Sequence, residues 1–250
     1  MSAAPTVHVR PELDPLAPGI GIVSPFDLAL DRELWRWTPD PVVLYITRTA
    51  HMDEPVGIGM AEALNDYDAV TAACREVAVA EPAVTAYLCT SGSFVHGLSG
   101  EARLRAAMEQ GTDGRRAITT SGAMIEALHA LGAHSVAVAT PYDAALTDKL
   151  VDFLSEAGIA TTGVGYLGMG HDIWRVTADS VRELARATPR DGADALFLSC
   201  TNLPTYDVIA PLEAELGIPV LSANLVTMWA ALRELNALPQ DRPERLFGAR

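Results

Sequence analysis

Two short apolar runs, each closing on a cysteine and a threonine, limit the folds open to this chain more than any other feature. Ala195–Asn202 reads A-L-F-L-S-C-T-N, with Arg190-Asp191-Gly192 before it and Pro204 after it. Val84–Ser91 reads V-T-A-Y-L-C-T-S. An apolar run of this length between turn signals predicts a buried strand, parallel and covered on both faces. Cys89 and Cys200 stand 111 positions apart. Each falls at a strand's carboxyl end, where open α/β sheets hold their ligands. The repetition predicts two related halves, each offering one thiol to a shared cleft.

The rest of the chain alternates in the same way. Strands are expected over 19–24, 42–47, 84–88, 116–120, 136–140, 161–167, 195–199 and 218–222, with helical periodicity between them. The pattern predicts an α/β protein with parallel sheets and helices on both faces. The expected division is a flexible arm over 1–18, a first α/β domain over 19–116 plus 225–250, and a second over 117–224. The arm is proposed because Pro5, Pro11, Pro15 and Pro18 interrupt a stretch without periodicity. Asp27, after the first strand, has the chemistry of a helix cap. Met124, Leu128 and Leu131 share a helix face that Gly132 should terminate.

Composition excludes several classes. With 250 residues and a formal charge of −14, the surface lacks the basic footprint that nucleic acid or an anionic membrane requires. No apolar run approaches the roughly 18 residues of a membrane span. The N-terminus has no basic stretch followed by an apolar one, so no signal peptide is expected. Three cysteines in 250 residues do not make a disulfide scaffold. A reduced, cytoplasmic protein is expected.

A single cysteine at a strand end is ordinarily a small buried hydrophobe. Two at matched places in a repeat point to proton transfer, which needs an acid and a base on opposite sides of one carbon. For that work the thiol pKa should be lowered by backbone N–H groups after each strand. Thr90-Ser91-Gly92-Ser93 and Thr201-Asn202 supply donor-rich loops able to hold a carboxylate or an enediolate. The same residues also serve ordinary turns. Cys74, among small apolar residues in a helix, reads as core. Gly163-x-Gly165-x-x-Gly168 matches a dinucleotide fingerprint in letters only, because no clear helix follows and the acidic residue, Glu183, lies inside a helix. It reads as a glycine-rich loop, conceivable as a lid. His8, His51, His96, His129, His134 and His171 form no ligand motif, so no metal is expected. There is no G-x-S-x-G and no P-loop.

The two thiol strands, T-P-Y-D at Thr140–Asp143 and P-V-L-S-A-N-L-V-T-M-W-A-A-L-R at Pro219–Arg233 resemble the aspartate/glutamate racemase superfamily. The resemblance is closest to its maleate cis–trans isomerase and arylmalonate decarboxylase branch and covers about residues 19–236. It implies two flavodoxin-like parallel-sheet domains related by pseudo-twofold symmetry, an active site between them and no cofactor. By resemblance to maleate isomerases, Cys89 adds to a double bond as a thiolate, Cys200 transfers a proton and Tyr142 binds a substrate carboxylate. In the racemases the same two positions work on opposite faces of one α-carbon. Arylmalonate decarboxylases have glycine at the first thiol position, so Cys89 argues against simple decarboxylation. Asp27 and Asp172 stand where maleate isomerases carry asparagines, and an ionised aspartate repels a carboxylate that asparagine would bind. If both face the cleft, the substrate carries an amine or a neutral polar group. The expectation is therefore a cofactor-independent two-cysteine isomerase of a small carboxylate. Its binding residues would be Asp27, Thr90, Ser91, Gly92, Tyr142, Asp172, Thr201 and Asn202. The alternatives are a racemase of an amino-acid derivative, an arylmalonate-type decarboxylase or a non-catalytic carboxylate binder. The expected partners are the small carboxylate and further copies of the chain, as a dimer or tetramer.

Overall fold

A computed structural model describes residues 17–249. All but the last two residues of the proposed arm over 1–18 lie outside the described residues. Among the described residues, eight strands form two four-stranded sheets, and every pairing is parallel. The first contains β1 (Gly19–Ser24), β2 (Val43–Arg48), β3 (Val84–Tyr87) and β4 (Ala117–Thr119), in the order β2-β1-β3-β4. The second contains β5 (Ser135–Thr140), β6 (Ala160–Tyr166), β7 (Ala195–Leu198) and β8 (Val220–Ser222), in the order β6-β5-β7-β8. The two orders are the same once β5 is matched to β1. The chain thus repeats one α/β unit, and β3 and β7, which lead into the thiols, occupy equivalent central positions. Both central strands are buried along their whole length, which explains their unbroken apolar runs.

Helices α1 (Asp31–Trp37), α2 (Ile58–Ala63), α3 (Tyr67–Ala78), α4 (Thr90–Phe94), α5 (Gly97–Gly111) and α6 (Thr120–Ala130) belong to the first half. Helices α7 (Ala144–Glu156), α8 (Ala178–Ala187), α9 (Ile209–Leu216) and α10 (Ala223–Glu234) complete the second. Their starts follow local chemistry. Asp66, Thr119, Asp143, Thr177 and Ser222 each accept a backbone N–H of the first turn through the side chain, satisfying donors the helix leaves open. Gly132 follows α6 with φ +67°, the left-handed stop expected there.

β4 pairs with β3 in the first sheet. The strand is short and mostly small, and only its pairing partner assigns it to a half. One expectation, the Asp27 cap, needs correction. Asp27 caps no helix: α1 begins at Asp31, preceded by Leu30 with no side-chain cap bond. The turn at residues 25–29 is instead closed by Leu28 N–H to the Pro25 carbonyl at 3.2 Å and by a bond from the other half, described below. The Asp27 carboxyl is therefore left free of a capping role.

Helices α6 and α10 start directly after β4 and β8 and pack on each other, with the hydroxyls of Thr120 and Thr227 2.9 Å apart. Residues 223–232 of α10 are buried throughout, because the helix also lies against β3, β4 and α1. One apolar core runs through both sheets. It holds the carboxyl ends of β3 and β7 in fixed relation.

Candidate active site

Cys89 follows β3 and is the N-terminal cap of α4; its Sγ accepts the Gly92 N–H at 3.4 Å and lies 4.0 Å from the Ser91 hydroxyl. The turn beyond it is pinned by Ser93, whose hydroxyl donates to the Cys89 carbonyl at 2.7 Å and meets the Ser121 hydroxyl at 2.7 Å. Cys200 follows β7. Its Sγ accepts the Asn202 N–H at 3.4 Å, and its backbone has φ +98°. A non-glycine residue in that region is strained and persists only where its surroundings over-determine it. The strain falls on the residue that the repeat singles out.

Cys89 and Cys200 both line one cavity, whose other lining residues come from both halves. Its lining includes the hydroxyl-bearing residues Thr90, Ser91, Tyr142 and Thr201 and the apolar residues Val56, Met60, Leu64 and Ile173. Asp27 lies on the lining as well, and none of the lining residues is Lys, Arg or His. The free space for a water-sized sphere is about 30 Å³, enough for one or two waters. The loop over 49–57 and the loop over 167–175 meet above it, where Val56 N–H donates to the Gly170 carbonyl at 2.7 Å.

The expected binding residues divide by position. Thr90, Ser91, Tyr142, Thr201, Asn202 and Asp27 all border the thiol cavity. The Thr90 hydroxyl is buried and has no hydrogen-bond partner, whereas Thr201 donates to the Leu88 carbonyl at 3.4 Å and so ties the second thiol loop to the first thiol strand. The Tyr142 ring is buried, and its hydroxyl accepts from Ser199 at 3.3 Å. Gly92 acts through its N–H on Cys89 and does not line the cavity. The Asn202 amide reaches across the cleft to the first half. Its Oδ1 accepts Ala29 N–H at 3.0 Å and its Nδ2 donates to the Asp27 carbonyl at 3.2 Å, so it holds the Asp27 turn across the cleft. Asp172, with φ +58°, borders a neighbouring recess and not the thiol cavity.

The lowered thiol pKa expected from the loop N–H groups is not found. Burial pushes the Cys89 thiol up to about 11 despite the Gly92 and Ser91 hydrogen bonds, and the Asp27 charge adds to the rise. Burial likewise pushes Cys200 up to about 12, again with Asp27 contributing. One N–H per sulfur is too little to offset the lost hydration of a thiolate. Cys74, buried in α3, also rises to about 12, through burial alone. Burial raises Asp27 too, partly opposed by its hydrogen bonds and by the Arg48 charge.

Several residues outside the sequence expectation complete the site. Glu33 on α1 is buried and accepts from Thr205 N–H at 3.0 Å, the Thr205 hydroxyl at 2.5 Å and Asn224 Nδ2 at 3.3 Å. Asn224 also donates to the Thr201 carbonyl at 3.1 Å. Arg36, one turn on, forms a bidentate pair with Asp207. Helix α1 of the first half thus grips the loop that carries Cys200. An acidic residue in a short helix gives no sequence signal of this, because its partners are about 170 residues away.

The glycine-rich stretch has a packing explanation. A Cβ on Gly163 would come within 1.9 Å of the Pro189 carbonyl oxygen, and one on Gly165 within 2.2 Å of the Thr188 hydroxyl. Both glycines lie within β6 and admit the end of α8; Gly168, at φ +69°, only begins the following turn. Among the described residues no group of three His, Cys, Asp or Glu is arranged to hold a metal ion, and no helix is long and apolar enough to cross a membrane.

Paired four-stranded parallel sheets with a thiol from each half in the intervening cavity define a two-lobed α/β enzyme class. The chain belongs to the arylmalonate decarboxylase family, whose model matches residues 38–245. It is 33% identical over 204 residues to the arylmalonate decarboxylase of Bordetella bronchiseptica, covering 76% of this chain and 84% of that protein. It is 32% identical over 168 residues to the maleate isomerase of Nocardia farcinica, covering 64% of this chain and 67% of the relative. A mutant of the N. farcinica maleate cis-trans isomerase, solved with a covalently bound succinylcysteine intermediate, superposes with a TM-score of 0.83 at 26% identity; the match covers 92% of this chain and 98% of that one. A liganded double mutant of arylmalonate decarboxylase matches with a TM-score of 0.81 at 30% identity, over 92% and 99% of the two chains. These relatives are isomerases and a decarboxylase, and this chain is an enzyme of the same family.

Proposed function

We propose that this enzyme is a cofactor-independent isomerase of a small carboxylate, of the maleate cis–trans type, with Cys89 as nucleophile and Cys200 as proton donor and acceptor. The observation that carries the reading is that the two repeat-equivalent cysteines border one cavity whose lining also includes the hydroxyl-bearing Thr90, Ser91, Tyr142 and Thr201. The succinylcysteine intermediate of the N. farcinica relative supports the same chemistry. Cys89 has both the Gly92 N–H and the Ser91 hydroxyl beside its sulfur, which favours its thiolate as the nucleophile. Its thiolate adds to one alkene carbon while the Cys200 thiol gives its proton to the other. The adduct turns about the new single bond. Cys200 thiolate then removes the proton, the carbon–sulfur bond breaks and Cys89 thiolate leaves the trans product. Thr90, Ser91 and Tyr142 hold the carboxylate next to the attacked carbon.

A racemase of one α-carbon is the second reading. It draws on the same observation, since two thiols from opposite lobes suit removal and return of a proton on opposite faces.

The test uses Cys89→Ala and Cys200→Ala. Each should lower turnover at least about a hundredfold, the scale of positioned acid–base catalysis, while Cys74→Ala stays within a fewfold of wild type. Conversion of maleate to fumarate identifies the first reaction, and deuterium uptake at an α-carbon the second. Full activity in either cleft-thiol variant sinks both.

A further inference from the structure

Cys89 is short of hydrogen-bond donors for an anion. The Gly92 N–H reaches its Sγ at 3.4 Å, and the Ser91 hydroxyl stands 4.0 Å away. A third donor belongs to Tyr87, two residues earlier on β3 and fully buried. Its hydroxyl donates to the Leu64 carbonyl at the C-cap of α2. A Cβ on Gly92 would sit 3.1 Å from both the Cys89 Sγ and the Tyr87 hydroxyl oxygen. The two atoms therefore border one small space that the glycine leaves empty. Asn65 steadies the arrangement, because its Nδ2 donates to the Gly92 carbonyl and ties the end of α2 to the first turn of α4. The Tyr87 hydroxyl also favours ionisation of Cys89, against the larger effect of burial.

Packing gives the hydroxyl no task. The ring lies in an apolar cluster with Val23, Leu64, Cys74, Leu104 and Met108, which a phenylalanine would fill equally. A buried phenol keeps a polar partner, and beside the Leu64 carbonyl that partner is the sulfur. Tyr142 has the corresponding place near Cys200. Tyr142, however, lines the thiol cavity and Tyr87 does not, so Tyr87 serves the sulfur without touching a bound molecule.

We propose that Tyr87 is a positioning residue for Cys89: its hydroxyl turns from the Leu64 carbonyl to the sulfur when the thiol ionises, and holds the thiolate for attack. The proposal rests on Cys89 being the nucleophile and adds the group that steadies it as one. The phenol keeps its proton throughout, since burial holds its pKa well above the ordinary value; only the hydrogen bond changes partner.

Iodoacetamide labelling of the full chain from pH 7 to 9, read by mass spectrometry, tests this in the empty enzyme. In Tyr87→Phe, Cys89 labelling should be about tenfold slower at every pH, a displacement of about one pH unit, while Cys200 keeps its wild-type rate. A hydroxyl that only braces the fold gives the reverse: the loosened variant labels Cys74, Cys89 and Cys200 faster together. Site-specific 3-fluorotyrosine at position 87, a more acidic donor of nearly the same shape, should speed Cys89 labelling at least about twofold. It decides alone if Tyr87→Phe fails to fold. An unchanged Cys89-to-Cys200 labelling ratio in Tyr87→Phe overturns the proposal, as does equal or slower Cys89 labelling with 3-fluorotyrosine. With maleate, kcat of Tyr87→Phe should fall about tenfold and KM stay within about twofold; a raised KM with unchanged kcat overturns it too. Failure of the nucleophile reading looks different: the labelling shift appears, yet no probe is turned over. Turnover abolished in Cys89→Ala with labelling unmoved in Tyr87→Phe keeps that reading and removes this one.

Discussion

Replacing Glu33 by Ala tests whether α1 holds the Cys200 loop. The side chain is 8% exposed and accepts three hydrogen bonds. Two of its donors have second partners: the Thr205 hydroxyl reaches Ser222 at 2.9 Å, and Asn224 Nδ2 reaches the Thr201 carbonyl. The Thr205 N–H has no other acceptor and is orphaned, which costs about 1–3 kcal/mol for a buried donor. Lost packing adds to this, and relief of a buried carboxyl subtracts. A net loss of about 2 kcal/mol corresponds to about 4–8 °C in Tm for a chain of this size. The pH dependence gives a sharper sign. Burial raises the Glu33 pKa, so its favourable contribution is complete below the unfolded carboxyl value and is lost as pH rises through the folded one. The gap between wild type and variant should shrink from pH 4.5 upward; a purely steric cavity would give a constant gap. With the loop loosened, the strained Cys200 backbone relaxes, and kcat should fall more than KM rises. Thermal melts followed by circular dichroism across pH, with steady-state kinetics at pH 7.5, measure both. A Tm within about 2 °C of wild type, or a gap that grows with pH, refutes the argument.

Two further outcomes follow from the geometry. Gly163→Ala sets a Cβ against backbone that cannot turn aside and should cost about 1–3 kcal/mol, read as a lower urea midpoint. Thiol ionisation should govern the rate: at pH 7 a thiol at about 11 is ionised in about one molecule in 10⁴. Iodoacetamide labelling of Cys89 in the empty enzyme should therefore rise close to tenfold per pH unit from 7 to 9, by mass spectrometry. A plateau below pH 8 would contradict the raised value.

The division of labour between sequence and fold is visible in particular residues. Cys89 and Cys200 could be paired from the sequence because each ends a fully buried parallel strand, and such strands write an unbroken apolar run that a repeat makes conspicuous. The same locality made Asp66, Thr119, Asp143, Thr177 and Ser222 helix starts, since a cap is a matter of three residues. What failed locally was whatever answered to a distant partner. Asp27 has a cap's chemistry, yet Asn202 from the other half closes its turn and Asp27 lines the thiol cavity. Gly163 and Gly165 mimic a nucleotide loop but make room for Thr188 and Pro189. Glu33 gives no local signal, because Thr205 and Asn224 close on it only in the fold. The thiol pKa values rose instead of falling because hydration is lost through the assembly of both lobes, whereas the hydrogen bonds that oppose the loss are local and few. Strand identity and the thiol repeat are properties of short segments and belong to the sequence; charge, access and orientation in the cleft depend on which surfaces meet, and only the tertiary structure decides that.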